Sequence, residues 1–262
     1  MVEAFVGQGW ARFPFERAVA DWAAAARAAA LPRIADPEAR ARWLACEGTW
    51  FVGVDALPNG PDGAVEGAGP PGGAALCAAR ALYGALPLHP AQVSVVYPGY
   101  PRPRAGEGEA AFRYRLRRDA AHVDGLKPVG PDRRRNLEEQ HAYILGLPLT
   151  ACDAGASPMV VWEGSHEIMR AAFRRALGGL PEAQWAGADL TEIYKAARRE
   201  VFETCRRVPI PAQPGEAYLV HRLALHGVAP WDEGAQASQE GRMIAYFRPE
   251  LPPGTRGWLE LP

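Results

Sequence analysis

The pattern of apolar and polar positions changes character about a third of the way along the chain. Before residue 91 it favours helices broken by loops. The stretch 15–30 is alanine-rich with Trp22 on its apolar side. Asp36 followed by Pro37 supplies a cap and a proline at the first helical position, which predicts a helix over 38–44. A third helix, over 74–83, should stop at Gly84. The intervening 58–73 (PNGPDGAVEGAGPPGG) is too rich in glycine and proline for regular structure and reads as a mobile loop, a plain surface connection or a lid.

From Gln92 onward the runs become short and β-like: QVSVVYP (92–98), FRYRLR (112–117) with Phe112, Tyr114 and Leu116 alternating, HAYILGLPL (141–149) and PMVVW (158–162). Two helices interrupt them. One follows Ser165 and ends at Gly178-Gly179; the other begins at an Asp189 cap with Glu192 three residues on and carries an apolar stripe of Tyr194, Ala197, Val201 and Cys205. Further strands are predicted at 208–212, 216–225 and 242–247. Helices first and then many short strands with long connections describe a mainly β fold, a sandwich or jelly-roll core over 91–250 with a helical buttress over 1–90, in one domain spanning 1–262. No internal repeat is visible.

Composition narrows the function classes. The net charge is -1, so no bulk field draws in nucleic acid or an anionic membrane. Only Lys127 and Lys195 among the 29 basic residues are lysine, and arginine runs such as Arg133-Arg134-Arg135 are discounted as coding bias. The four cysteines, Cys46, Cys77, Cys152 and Cys205, form no CxxC and mostly sit in apolar runs, which suggests a reducing cytoplasm. No stretch has the apolar length of a membrane span and the N-terminus has no export signal, so a soluble cytoplasmic protein is expected.

Candidate chemistry centres on six histidines. AAHVDGL (120–126) puts His122 and Asp124 two residues apart, which on an extended strand places both side chains on one face, about 6 to 7 Å apart at the backbone. Two such ligands and a third from elsewhere make the 2-His-1-carboxylate triad that suits non-haem Fe(II), because coordination positions stay open. HxD alone also fits a histidine hydrogen-bonded to a carboxylate in a strand-end loop. Downstream, PGEAYLVHRLALHGVAPW (214–231) joins a Pro-Gly turn and an apolar strand to His226-Gly227, and Arg242 heads another strand.

With HxD, His and Arg in that order, the chain resembles the 2-oxoglutarate oxygenases, most closely the phytanoyl-CoA dioxygenase-like branch. VVWEGSHEIM (160–169) is similar to that branch's "PGSH" turn. The resemblance runs from about His122 to Pro249, half of the chain. It implies a double-stranded β-helix of cupin type, Fe(II) on His122, Asp124 and His226, 2-oxoglutarate anchored by Arg242, and O2 as oxidant. It further implies hydroxylation of a small molecule with release of succinate and CO2. Related halogenases have Ala or Gly at the carboxylate position, so Asp124 favours hydroxylation. Many members have Ser or Asn shortly after the second histidine; here Gly227, Val228 and Ala229 follow it.

Two other readings compete. RMIAYFR (242–248) has the RxxxxxR spacing of AlkB-type nucleic-acid demethylases, against which stand the near-neutral charge and the residue after Asp124, a glycine where an acidic residue is expected. A non-catalytic cupin-like module, or a metal isomerase, would have no need of Arg242. Strand parity turns His221 away from His226 unless a bulge intervenes, and makes Arg222 a candidate for the pocket or for solvent. His166 reads as structural, and Tyr246, sharing a face with Arg242, as floor of the site. The substrate pocket is expected to draw on the helical third, the 58–73 loop and 127–136. Oligomeric state is not readable.

Overall fold

The computed structural model of the protein describes residues 1–253 and 257–262. In chain order the first elements are α1 (Val2–Gln8), β1 (Trp10–Phe13), α2 (Arg17–Ala35), α3 (Pro37–Trp43), β2 (Leu44–Ala45), β3 (Trp50–Phe51), α4 (Ala74–Tyr83) and β4 (Gln92–Val96). They are followed by α5 (Glu109–Arg117), β5 (Leu126–Val129), β6 (Arg134–Leu137), β7 (Tyr143–Pro148), β8 (Met159–Trp162), α6 (Ser165–Leu177) and α7 (Thr191–Thr204). The last are β9 (Arg207–Ile210), β10 (Ala217–His221), β11 (His226–Val228), β12 (Arg242–Phe247) and α8 (Gly257–Glu260).

A seven-stranded antiparallel sheet runs β1-β10-β7-β12-β4-β3-β2 and faces a smaller sheet ordered β11-β8-β9. His122 adds a fourth extended segment to the smaller sheet, bridging to His226 through two backbone hydrogen bonds of 2.8 and 3.0 Å. Counting that segment, the chain from β4 to β12 visits the sheets in the sequence large, small, large, small, small, large, small, large. Four strands on each side in that order is a jelly roll.

Between the sheets lie Ile144, Met159, Val161, Ile210, Tyr218, Val220 and Ile244. The outer face of the large sheet is covered by helices, with Trp22 of α2 against Phe247 at 5.8 Å. Because β12 is buried on both faces, RMIAYF reads as a nearly unbroken apolar run. Alternation still separates its two sides: Arg242, Ile244 and Tyr246 point between the sheets, and Met243, Ala245 and Phe247 toward the helices.

Several sequence expectations need correction. FRYRLR is not a strand but the end of α5; the Phe112/Tyr114/Leu116 alternation misleads because the side chains that pack are Tyr114, against Phe202, and Arg115, against Glu107, while Leu116 is exposed. The first ninety residues are not purely helical. They supply β1 to one edge of the large sheet and β2 and β3 to the other. The strand expected over 216–225 ends at His221, where the chain crosses to the smaller sheet. The 58–73 segment is irregular, as expected, and is tied down: the Trp22 indole donates to Gly63 O at 3.0 Å, Leu88 N to Pro61 O, and Val65 is buried.

Candidate metal centre

His122, Asp124 and His226 meet at the open end of the jelly roll, with ligand atoms all within 4.8 Å of one another. His226 lies on β11 and His122 is bridged to it, whereas Asp124 already begins the turn into Gly125. The carboxylate nevertheless reaches back, with Oδ1 3.1 Å from His122 Nε2 and Oδ2 3.6 Å from His226 Nε2. Asp124 and His226 are buried, and His122 is half exposed toward the pocket.

The imidazoles are oriented from behind. His122 Nδ1 lies 3.0 Å from Ala120 O, and His226 Nδ1 lies 2.9 Å from Ala224 O. A carbonyl only accepts, so each Nδ1 carries a proton and Nε2 is the nitrogen turned toward Asp124; when His122 is protonated its Nε2–H donates to Asp124 Oδ1. Burial opposes charge on Asp124, but Arg248 and the two histidines hold its carboxyl well below the usual carboxylate range. Burial works against protonating His122 as well; its hydrogen bond and attraction to Asp124 outweigh that and raise its pKa. Two neutral-capable nitrogens and one ionised oxygen form a donor set that fits a divalent iron and leaves coordination positions free.

The approach of the two ligand-bearing segments depends on a fixed corner. Asp119 and Ala120 both have left-handed backbone, φ 53°. The buried Asp119 carboxylate accepts two hydrogen bonds from Arg207, 2.7 Å from Nε and 2.8 Å from Nη2, and its carbonyl accepts from Val228 N at 3.0 Å. This pin delivers His122 to β11. Nothing in the spacing of Asp119 and Arg207, 88 positions apart, announced it.

A cavity of about 210 Å³ opens over the triad. Trp50 and Tyr100, edge to face at 5.9 Å, form one side, and Ile144, Met159 and Val228 add apolar wall. Gln92, Ser94, Tyr246 and Arg248 supply polar groups. Of the three expected sources of lining, only the first third of the chain contributes, through Trp50, Val52 and Val54; no residue of 58–73 or 127–136 lines it.

Arg242 is buried one layer deeper than the triad pocket. It points between the sheets behind Tyr246, with Nη2 3.4 Å from the Tyr246 hydroxyl, which also accepts from Tyr218 at 2.9 Å. It borders a void of about 10 Å³ with Cys152, Ile210 and Tyr218. Its Nη1 has no hydrogen-bond partner. A buried guanidinium with an unmet donor is costly unless a carboxylate completes it. Tyr246 thus floors the pocket as parity implied.

Arg222 is in neither of its expected places. It is fully buried, and it donates to Trp258 O at 2.8 Å, Gly257 O at 2.8 Å, Leu261 O at 2.6 Å and Pro262 O at 2.9 Å. Parity failed because β10 had already ended. His221 accepts from Arg170 at 2.8 Å, and His166 Nε2 contacts Val6 O at 2.9 Å, so both are structural. Of the arginine run, Arg134 pairs with Asp189 at 3.3 Å and Arg135 is tied through its backbone to Thr191. No helix among the described residues is long and apolar enough to cross a membrane. Among the described residues the four cysteines are free.

Fold and site together define a jelly-roll protein in which two histidines and one carboxylate form a cluster able to hold a metal ion, with a buried arginine one layer deeper. No protein-family model matches the chain, and no curated protein matches it in sequence. Solved structures are similar in fold at low identity. One is the non-heme alpha ketoglutarate dependent carbocyclase SnoK from nogalamycin biosynthesis, with TM-score 0.49 and 17% identity over 98% of this chain and 88% of that one. Another is AviO1 from Streptomyces viridochromogenes Tue57, with TM-score 0.46 and 17% identity over 96% and 95%. A third is EctD from S. alaskensis, solved with 2-oxoglutarate and 5-hydroxyectoine, with TM-score 0.45 and 18% identity over 95% and 74%.

Proposed function

We propose that the protein is an Fe(II)- and 2-oxoglutarate-dependent dioxygenase that hydroxylates a small molecule. The observation that carries the reading is the convergence of two imidazoles, both with Nδ1 tied to backbone carbonyls, on one ionised carboxylate. His122, Asp124 and His226 would hold Fe(II). The unpaired Nη1 of the buried Arg242 would receive the distal carboxylate of 2-oxoglutarate, a charge-assisted contact for which a guanidinium is well shaped. When bound, iron, 2-oxoglutarate and O2 supply the oxidation of a substrate C–H bond to an alcohol, with succinate and CO2 as co-products.

The chain's own residues bind, orient and exclude water. The carbonyls of Ala120 and Ala224 hold each Nδ1–H, which fixes the ring orientation and leaves Nε2 as the nitrogen that would face the ion. Trp50, Tyr100, Met159 and Val228 shield the open face and present an apolar surface to the substrate. A carboxylate ligand at position 124 favours oxygen insertion over halide transfer.

Anaerobic addition of Fe(II) and 2-oxoglutarate to the apoprotein is expected to give a weak visible charge-transfer band. A non-catalytic module gives none, and absence of the band refutes the reading. The small-molecule assignment is tested separately. Oligonucleotide binding with a steep salt dependence, together with turnover of methylated oligonucleotides, would replace it with the nucleic-acid demethylase alternative.

A further inference from the structure

Arg248 lies one residue past β12, on the inward side of the alternation Arg242, Ile244, Tyr246, and its guanidinium forms the wall between the metal pocket and a second cleft. Its Nη1 is 3.4 Å from Asp124 Oδ2, and its Nη2 donates to Gln92 Oε1 at 2.6 Å. Gln92 is fixed in turn, donating from Nε2 to Val52 O at 2.9 Å. The Arg248 backbone is clamped on both sides: its N–H donates to His89 Nε2 at 2.7 Å, and its carbonyl faces His141 Nδ1 at 3.0 Å. These two histidines have no ligand-type partner of their own at the metal, and here they serve one arginine.

Two tethers on the guanidinium and two on the backbone of one residue are more than an incidental surface pair requires. The arginine is only partly exposed, and both terminal nitrogens are spent inside the protein, on Asp124 and on Gln92. Its effect falls on a single atom, Asp124 Oδ2. With that oxygen held, Oδ1, which lies 3.1 Å from His122 Nε2, is the oxygen left for an ion.

We propose that Arg248 is a positioning residue that keeps Asp124 on the metal through one oxygen, with Gln92, His89 and His141 holding Arg248 in place. The inference rests on the triad being the metal site. A carboxylate free to turn would chelate the ion through both oxygens and fill a position the cosubstrate or dioxygen needs. Arg248 preserves that vacancy through its contact with Asp124 Oδ2.

The test uses Mn(II) as probe, because the relaxation of solvent water protons reports how many exchangeable waters the bound ion carries. The apoprotein and the variants Arg248→Met, Arg248→Lys and His226→Ala are loaded with Mn(II) and compared, with circular dichroism as the check on folding. Wild type is expected to keep the open half of an octahedral shell hydrated. In Arg248→Met the enhancement per bound ion should fall by about a third, as one position of the open set closes. Arg248→Lys, which keeps a cation in reach of Oδ2, should return toward wild type. An Arg248→Met protein that binds Mn(II) with the wild-type enhancement overturns the proposal. If Arg248→Met does not fold, Gln92→Leu removes the 2.6 Å tether and leaves the arginine in place. Its enhancement is expected to fall in the same direction, and an unchanged value overturns the proposal equally. Failure of the underlying reading looks different: wild type then binds Mn(II) no better than His226→Ala.

Discussion

Replacing Gly227 by alanine should damage the metal centre from a position that bears no ligand. A Cβ on Gly227 would lie 2.1 Å from Asp119 O, 3.0 Å from Asp119 C and 3.3 Å from Ala121 Cα. All three are backbone atoms, so no flexible side chain can swing aside. Restoring the first contact even to 3.0 Å requires 3.0 − 2.1 = 0.9 Å of separation between the segment carrying His122 and the strand carrying His226. Asp119 resists, held by Arg207 and by Val228 N. Metal coordination tolerates errors of about 0.2 Å, so a shift of this size misplaces one imidazole. We expect overpacking to cost about 1–3 kcal/mol, a fall in Tm of roughly 2–4 °C for each kcal/mol, and Fe(II) or Mn(II) affinity to drop about 10–100-fold. Calorimetric titration of the apoprotein with Mn(II) measures the second effect and thermal melting the first. Wild-type affinity in Gly227→Ala would refute the claim that this backbone contact sets the distance between the two histidines.

Arg242→Ala should weaken 2-oxoglutarate binding by about 10–100-fold, the worth of hydrogen bonds to a charged group, and leave metal stoichiometry intact; equal binding would take the anchoring role away from Arg242. Metal affinity should depend on pH through His122, whose pKa is raised by Asp124, while Asp124 stays ionised. The ion must displace that proton, so affinity should be level in mild alkali and start to fall on the alkaline side of 6.5 as pH drops; a flat titration from about pH 8 to pH 6 contradicts this. Arg222→Met, which strands the buried carbonyls of Ala142, Gly257 and Trp258, should lower Tm sharply without altering 2-oxoglutarate affinity in the folded fraction, and a selective loss of cosubstrate binding would return Arg222 to the pocket.

The fold was legible where local rules and tertiary demands agree. Gly84 ends α4, Gly178 follows α6, and Asp36 caps Pro37–Trp43, its Oδ1 accepting from Glu38 N at 3.2 Å. Most strands of the jelly-roll core were visible as short apolar runs because they are buried along their whole length. What escaped were elements whose identity is set by partners. β1, β2 and β3 are two to four residues long and exist as edges of a sheet formed by distant strands. The α5 segment alternates like a strand, yet the Glu109–Arg113 pair at 3.7 Å and the packing of Tyr114 on Phe202 belong to a helix.

The candidate site divides the same way. The His122/Asp124 spacing pointed to two side chains on one face, and the order of HxD, His226 and Arg242 to a family resemblance, which implied the third ligand and the cosubstrate anchor. The same two-residue periodicity that places Tyr246 beside Arg242 misassigned Arg222, since parity holds only while a strand continues and β10 stops at His221. Periodicity therefore reports orientation within an element and nothing across a crossover. The groups that position the ligands, Asp119 with Arg207 and Arg248 with Gln92, lie 88 and 156 residues apart, and each is an ordinary ion pair or amide contact without a motif. Their role comes from where the jelly roll folds them, one holding the corner before His122 and the other contacting Asp124 Oδ2. The members of a candidate metal site can thus be picked out in sequence, while the ion pairs that hold them become visible only with the fold.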